Sequence, residues 1–100
     1  MIYITQRIYI KEGQEDIFHQ FEEIAISILA SYKGRLMLRI RPDDNSVIEL
    51  TAEKPYEVHI VQFPSDKNFE DFLHDEKRQQ FLHMKEASIK SVVLIKGEMI

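Results

Sequence analysis

Hydrophobic and polar residues alternate at the start of this chain, with isoleucine at every second position of Ile2–Ile10 except position 6. A period of two is the pattern of a β-strand with one buried face. From Gln14 to Tyr32 the apolar residues recur every three or four positions, which predicts an amphipathic helix. Gly34 is expected to end this helix as a left-handed cap. Arg35–Arg41 alternates again and predicts a second strand.

The second half of the chain repeats this order of elements. Glu57–Phe63 predicts a strand that stops at Pro64, and Ile89–Lys96 predicts a closing strand. The helix between them follows Ser65, a residue type that caps helices. Polar residues at 74–77 predict a break within this helix.

The segment that joins the two halves is rich in turn-forming residues. Residues 42–46 predict a turn, and Val47–Leu50 is interpreted as a short extended arm. Two units of strand, helix and strand then fill most of the 100 residues, a length typical of one domain, residues 1–100. We expect an α+β fold in which one four-stranded sheet carries both helices on the same face.

The face of the sheet away from the helices, called here the open face, is expected to carry side chains that are unusual for a solvated surface. Alternate side chains of a strand point to opposite faces. The odd-numbered residues of the first strand are expected on the open face: Tyr3, Thr5, Arg7 and Tyr9. The second strand is expected to place its even-numbered residues beneath the helices: Leu36, Leu38 and Ile40. Its odd-numbered residues then share the open face: Arg35, Met37, Arg39 and Arg41.

The third strand can face either way. With Val61 and Phe63 beneath the helices, its even-numbered residues lie on the open face, whereas the other phase places Glu57 and His59 there. An open face that mixes Tyr, Met, Val and Ile with Arg is apolar enough to predict a homodimer formed sheet to sheet. The alternative is a polar, solvated face, which antiparallel sheets tolerate.

Composition narrows the classes of function. The hydrophobic share of 44% and the charged share of 30% are those of a folded domain, and a net charge of -4 argues against nucleic-acid binding. The absence of cysteine excludes disulfides, thiolate catalysis and cysteine-based zinc sites. No signal-peptide pattern and no apolar run of about 20 residues is seen, so we expect a cytoplasmic protein that does not cross a membrane.

Several stretches together resemble the dimeric α+β barrel superfamily. They are the alternation in Ile2–Ile10, the helix end Tyr32–Arg35, the run Val58–Ser65 and the closing run Ser91–Gly97. Within that superfamily the nearest resemblance is to a small bacterial family of uncharacterised proteins, whose third strand ends in a similar Phe-Pro-Ser corner. The resemblance covers nearly the whole chain, and its motifs are short and mainly structural.

This resemblance implies a ferredoxin-like βαββαβ subunit with a four-stranded antiparallel sheet, which dimerises through its sheet face as a dimeric α+β barrel and has a pocket between sheet and helices. Relatives in the superfamily include cofactor-independent monooxygenases, haem-degrading enzymes, lactone isomerases and proteins without known activity. The chain departs from the small family at Thr51–Lys54, where a glycine and then an aromatic residue are usual, and at Lys85, where arginine is common. The ligand preference of the family is therefore not carried over, and fold alone does not define function.

The candidate ligand-binding residues are expected on the open face: Arg7, Arg39, Arg41, Tyr3 and Tyr9. A guanidinium group offers a planar fork of donors, so this set could bind the carboxylate or enolate of a small acidic or aromatic ligand. The alternative is that these arginines form ion pairs across the dimer with Glu57 or Glu49.

His59 is the candidate catalytic residue, because imidazole gains and loses a proton near neutral pH and this one lies mid-strand between apolar neighbours. The alternative is a hydrogen-bonded interior histidine without a catalytic role. His19 and Glu23 are one helical turn apart, which permits a shared metal ion. Because Glu22 and Glu23 are expected on the solvent side, a hydrated surface is the better interpretation. We therefore predict no metal site. No cofactor is predicted, since the chain lacks tryptophan and a glycine-rich phosphate loop.

Three hypotheses for function follow. The first is a homodimeric protein that binds a small molecule between sheet and helices. The second is a cofactor-independent monooxygenase or isomerase for an activated aromatic or lactone substrate, which requires His59 to face the cavity beside an arginine or tyrosine. The third is a structural or regulatory dimerisation module, which requires a filled interior.

Overall fold

The strands pair into a single antiparallel sheet whose order, β2-β3-β1-β4, is the one expected of a ferredoxin-like βαββαβ chain. Their bounds are β1 Ile2–Ile10, β2 Arg35–Ile40, β3 Glu57–Phe63 and β4 Ile89–Gly97. These positions come from a computed structural model, which describes residues 1–49 and 52–100. Val47–Glu49 is not a strand, and Leu50, the last residue of the predicted extended arm, lies outside the described residues.

The helices lie where the periodicity predicts them. The first, α1, spans Glu15–Ile28 and continues as a 3-10 turn over Leu29–Tyr32. The second helical region is divided into α2 Asp66–Leu73, α3 Glu76–Gln80 and α4 Leu82–Ser88. No helix in the described part of the chain has the length and apolarity needed to span a bilayer.

Side-chain caps explain where the second helical region starts and where it breaks. The hydroxyl of Ser65 accepts a hydrogen bond from the backbone N–H of Asn68 at 3.3 Å, which satisfies one of the free donors at the start of α2. Asp75 lies at the predicted break and accepts from the backbone N–H of Arg78 at 2.8 Å. A strong N-cap in mid-sequence starts a new helix, so the chain turns there rather than continuing α2.

The hydrophobic core lies between the helices and one face of the sheet. Its most deeply buried apolar side chains come from β1, β3 and α1: Ile4, Ile8, Phe18, Phe21 and Phe63. The register pairs Ile4 with Val61 and Ile8 with Glu57, so Glu57, His59, Val61 and Phe63 lie under the helices. Of the two phases open to β3, this is the one in which Val58, Ile60 and Gln62 lie on the open face.

The predicted facing of β2 is wrong beyond its second residue, because the strand contains a β-bulge. Leu36 pairs with Val61, yet Leu38 pairs with Ile60, so one extra residue of β2 is accommodated between them. An insertion of one residue moves every later side chain to the other face. Leu38 and Ile40 therefore lie on the open face, and Arg39 lies beneath the helices opposite His59.

The bulge makes the open face more apolar than the alternation implies. Leu38, Ile40 and Ile95 are 40%, 47% and 55% exposed in the single chain. The pairing of Val58 with Ile40 and of Ile60 with Leu38 places two further apolar side chains beside them. These apolar side chains lie on β2 and β3 and, beyond Thr5 of β1, on β4, and a partner surface would cover them.

Gly34 is required for close packing and not for a left-handed helix cap. The left-handed residue at this helix end is Lys33, with φ 60°. A Cβ on Gly34 would lie 2.8 Å from Cε1 of Phe63 and 3.1 Å from Cδ2 of Leu29. Phe63 is fully buried, so its ring cannot move aside without disturbing the core.

We expect the Gly34→Ala variant to be destabilised by about 1–3 kcal/mol, the usual cost of overpacking a well-packed core. Urea unfolding followed by circular dichroism measures this directly. The matched control is Gly97→Ala, because a Cβ on Gly97 meets nothing within 4 Å. Equal stability of the two variants would contradict the packing role of Gly34.

Candidate functional site

A cavity of about 90 Å³ lies between the helix side of the sheet and the helices. Most of its wall is apolar, contributed by β1, β3, α1 and α2. Its polar lining comes from five different elements: Gln6, Glu22, His59, Arg78 and Lys85. Val92 and Leu94 of β4 form one wall and are 38% and 48% exposed, so the cavity opens to solvent beside β4.

His59 occupies the floor of this cavity. In the sheet it is flanked by Gln6 on β1 and by Arg39 on β2, all beneath the helices. The residue is 2% exposed. Strand alternation places it here, because Val61 and Phe63 of the same strand belong to the core and every second residue shares their face.

A buried carboxylate orients the imidazole. Nε2 of His59 lies 2.6 Å from Oε1 of Glu57, and Glu57 is only 1% exposed. Arg39 donates to both oxygens of Glu57, from Nε at 2.8 Å and from Nη2 at 3.2 Å. Arg41 donates from Nε to Oε2 at 3.1 Å and contacts the same oxygen through Nη2.

The protonation of this cluster follows from its geometry. Burial by itself raises the pKa of Glu57, but hydrogen bonds from His59, Arg39 and Arg41 outweigh it and hold that pKa at about 2. An ionised carboxylate only accepts hydrogen bonds, so Nε2 of His59 carries the hydrogen. In neutral His59 the free lone pair is therefore on Nδ1, the nitrogen that lies 3.9 Å from Oε2 of Glu22.

Glu22 is a second buried carboxyl group, on α1. It is 7% exposed, which corrects the expectation that it flanks the solvent side of the helix. Burial raises the pKa of Glu22, an effect opposed mainly by His59. The side chain thus sits beside His59 in an environment that favours its neutral, proton-donating form.

Two cations complete the polar lining. Arg78 of α3 is 8% exposed, and its guanidinium lies 5.3 Å from the ring centre of Phe72 and 5.8 Å from that of Phe21. Lys85 of α4 is half-buried against the same cavity. Burial lowers the pKa of Arg78 and also that of Lys85, the latter with a further contribution from the charge of Arg78.

The structure separates the residues that the sequence analysis predicts to bind a ligand on the open face. Tyr3 and Arg7 lie on the open face, where the hydroxyl of Tyr3 accepts from Nε2 of Gln62 at 2.9 Å. Tyr9 is buried at the edge of a surface depression that Arg41 and the connecting segment also line. The bulge carries Arg39 and Arg41 to the cluster around Glu57, within one chain and not across a dimer.

The sequence analysis does not identify three of the cavity residues as candidate ligand contacts: Glu22, Arg78 and Lys85. The burial of Glu22 could be predicted from the sequence, because Glu22 lies four residues after Phe18 and three before Ala25 and so falls within the apolar stripe of the helix. The sequence held no such signal for Arg78, since its burial depends on how the short helix α3 is tilted onto α1.

His19 contacts the hydroxyl of Tyr56 at 2.7 Å. Among residues 1–49 and 52–100, no group of three or more metal-ligating side chains is assembled.

Comparison with known proteins shows the fold. No family model matches the chain, and no curated protein matches it. A protein of unknown function from Rhodopseudomonas palustris aligns with a TM-score of 0.83 at 12% identity, covering 99% of this chain and 82% of that one. A dimeric ferredoxin-like protein of unknown function from Jannaschia aligns with a TM-score of 0.72 at 14% identity, covering 98% of both chains.

A putative antibiotic biosynthesis monooxygenase from Nitrosomonas europaea aligns with a TM-score of 0.74 at 9% identity, covering 100% of this chain and 99% of that one. At such identities the likeness concerns the fold alone. The chain has an α+β ferredoxin-like βαββαβ fold with a four-stranded antiparallel sheet, which confirms the fold that the sequence resemblance implied.

We expect Glu57 to make the protein sensitive to acid. Its pKa of about 2 in the folded state lies below the ordinary value of 4.5, so its contribution to stability is complete above pH 4.5 and is lost as the pH falls towards 2. A difference of this size corresponds to about 3 kcal/mol in the free energy of unfolding. Glu57→Gln should be less stable than the wild type at neutral pH.

Urea unfolding at a series of pH values checks this expectation. The stability difference between the wild type and Glu57→Gln should shrink as the pH is lowered from 5 to 2. Glu12→Gln, at an exposed position in the turn after β1, serves as the control and should track the wild type throughout. A stability difference that is independent of pH would show that the carboxylate is not held ionised.

Proposed function

We propose that this protein is a homodimer in which the cavity of each protomer binds a small organic molecule and His59 removes a proton from it. The observation that carries the proposal is the orientation of His59. Its Nε2 is held by an ionised carboxylate, and its Nδ1 is on the side of the cavity and Glu22. A histidine with only a structural role would be expected to satisfy both nitrogens within the protein.

The cluster around His59 has the parts that general base catalysis needs. The Nδ1 lone pair takes a proton from a C–H group next to a carbonyl of the ligand, and the electron pair of that bond stays on the ligand as an enolate. The carboxylate of Glu57 stabilises the imidazolium that forms, in the way that the acidic residue of a catalytic triad does. Arg39 and Arg41 keep Glu57 ionised and in place.

Glu22 supports an isomerisation. When its carboxyl group is protonated, it can return a proton to the ligand at a second atom while His59 holds the one that was removed. Paired groups whose environments favour opposite protonation states are the usual arrangement for moving a proton between two positions. Both side chains line the same cavity.

The second candidate is a cofactor-independent monooxygenase, favoured by the mainly apolar cavity wall and by the name of the Nitrosomonas europaea protein. In such a reaction the deprotonated substrate reduces O₂. One oxygen atom converts a CH₂ group to a carbonyl, and the other leaves as water. Pockets for drug-sized ligands have volumes of about 300–1,000 Å³. The cavity of about 90 Å³ holds a smaller group, so proton transfer on a small molecule is the better supported reaction.

The cavity also argues against a purely structural dimerisation module, which would have a filled interior. Dimerisation itself is supported by the open face, where Leu38, Ile40 and Ile95 are exposed in the single chain. A second copy presents the same apolar patch, and a two-fold axis can bring the two together. The description of the Jannaschia protein as dimeric points the same way.

Proton transfer by His59 can be observed as hydrogen–deuterium exchange on carbon. We expect the protein to accelerate this exchange in D₂O for at least one of a set of small ketones, keto acids and lactones, followed by proton NMR. His59→Gln should reduce the accelerated rate by about 100-fold or more, the usual contribution of a general base. The same substitution at the exposed His83 should leave the rate unchanged. Equal rates in the two variants would exclude His59 as the base.

Dimerisation through the open face can be tested on two adjacent residues of β4. Ile95 faces the open side and Leu94 the helix side, and their exposures of 55% and 48% are similar. Ile95→Glu should raise the dimer dissociation constant by about 100-fold or more, because a carboxylate would be buried without a partner. Sedimentation velocity at several concentrations measures it. Leu94→Glu should leave the dimer intact, and disruption by both variants alike would contradict the proposed interface.

A further inference from the structure

Arg78 is a buried cation without a carboxylate. Its Nη1 donates to the backbone oxygen of Leu73 at 3.1 Å, whereas its Nε is buried and has no hydrogen-bond partner. No carboxylate in residues 1–49 or 52–100 forms an ion pair with it. A guanidinium that is 8% exposed normally has a charged partner, because removing a charge from water is costly.

The same chain shows how such a guanidinium is satisfied. Arg39 presents its Nε and Nη2 to the two oxygens of Glu57, at 2.8 Å and 3.2 Å. This side-on edge is the one that matches a planar carboxylate with two parallel hydrogen bonds. In Arg78 the opposite nitrogen, Nη1, is occupied by Leu73, and the Nε–Nη2 edge carries no carboxylate.

The surroundings of Arg78 also favour an anion. The rings of Phe21 and Phe72 lie close to the guanidinium and limit its rotation. Lys85 brings a second positive charge to the same cavity. Glu22 is the carboxyl group that shares the cavity lining with them, so two cations face one carboxyl group there. Burial also raises the pKa of Glu22, which reduces its share of negative charge. The cavity is thus electropositive in a chain whose net charge is -4.

We propose that Arg78, assisted by Lys85, binds a carboxylate of the ligand, so that the cavity selects small carboxylic acids. This inference rests on the proposed use of the cavity as a ligand site, but it does not depend on chemistry at His59. A cavity of about 90 Å³ holds a carboxylate with a few neighbouring carbon atoms. The carboxylate then supplies the negative charge that Arg78 lacks, and the remainder of the acid extends towards His59 or towards the opening beside β4.

The test uses pairs of probes that differ only in charge: propionate with propionamide, and pyruvate with pyruvamide. Binding to the full-length protein is measured by chemical-shift changes of cavity residues at millimolar probe concentrations. We expect the acids to bind and the amides to bind at least about tenfold more weakly, since a charge-assisted hydrogen bond is lost. Amides that bind as tightly as the acids, or the absence of binding by both acids, would overturn the proposal.

Variants assign the effect to particular residues. Arg78→Gln should weaken binding of the acids by about ten- to hundredfold, and Lys85→Gln by a smaller factor. Lys77→Gln, an exposed cation beside Arg78 on α3, is the matched control and should bind as the wild type does. A folded Arg78→Gln variant that binds the acids normally would refute the role of Arg78. If that variant does not fold, Lys85→Gln and the comparison of acids with amides on the wild type decide the question.

The same experiments separate this inference from the proposed proton transfer. Acids that bind in an Arg78-dependent way without exchange of their carbon-bound hydrogens would support the carboxylate site and contradict proton removal by His59. Neutral ketones that exchange at His59 as fast as keto acids, with no effect of Arg78→Gln, would support proton removal by His59 and contradict the carboxylate site.

Discussion

The burial of one carboxylate constrains the rest of this structure. An ionised Glu57 at 1% exposure would be strongly destabilising without partners, because its hydration is lost. Two arginines and a histidine supply donors to its two oxygens. This requirement explains the bulge in β2. An unbroken alternation would point Arg39 away from Glu57, whereas one extra residue turns it beneath the helices.

The bulge has consequences on both faces of the sheet. On the helix side it completes the ion cluster that orients His59 and determines which imidazole nitrogen is free. On the open face it replaces arginines by Leu38 and Ile40, so that side becomes apolar over several strands. One irregularity in the backbone thus places Arg39 beside His59 on one face and exposed apolar side chains on the other.

Charged groups are distributed unevenly between the sheet side and the helix side of the cavity. The cluster around Glu57 satisfies its own hydrogen bonds and is suited to hold His59 in a fixed orientation. Arg78 and Lys85 belong to the short helices, and Arg78 retains an unsatisfied donor. The sheet thus carries His59 with its ion cluster, and the short helices that face it carry two cations, one of which has an unsatisfied donor.

The sequence by itself determined the order of elements and the break in the second helical region, because local periodicity and caps such as Ser65 depend on neighbouring residues only. It also singled out His59. Only the tertiary structure decided the facing of β2 and the partners of His59, since a bulge leaves no mark on a strictly alternating segment such as Arg35–Arg41. The burial of Arg78 likewise depends on contacts between helices that are distant in sequence, and no spacing rule encodes them.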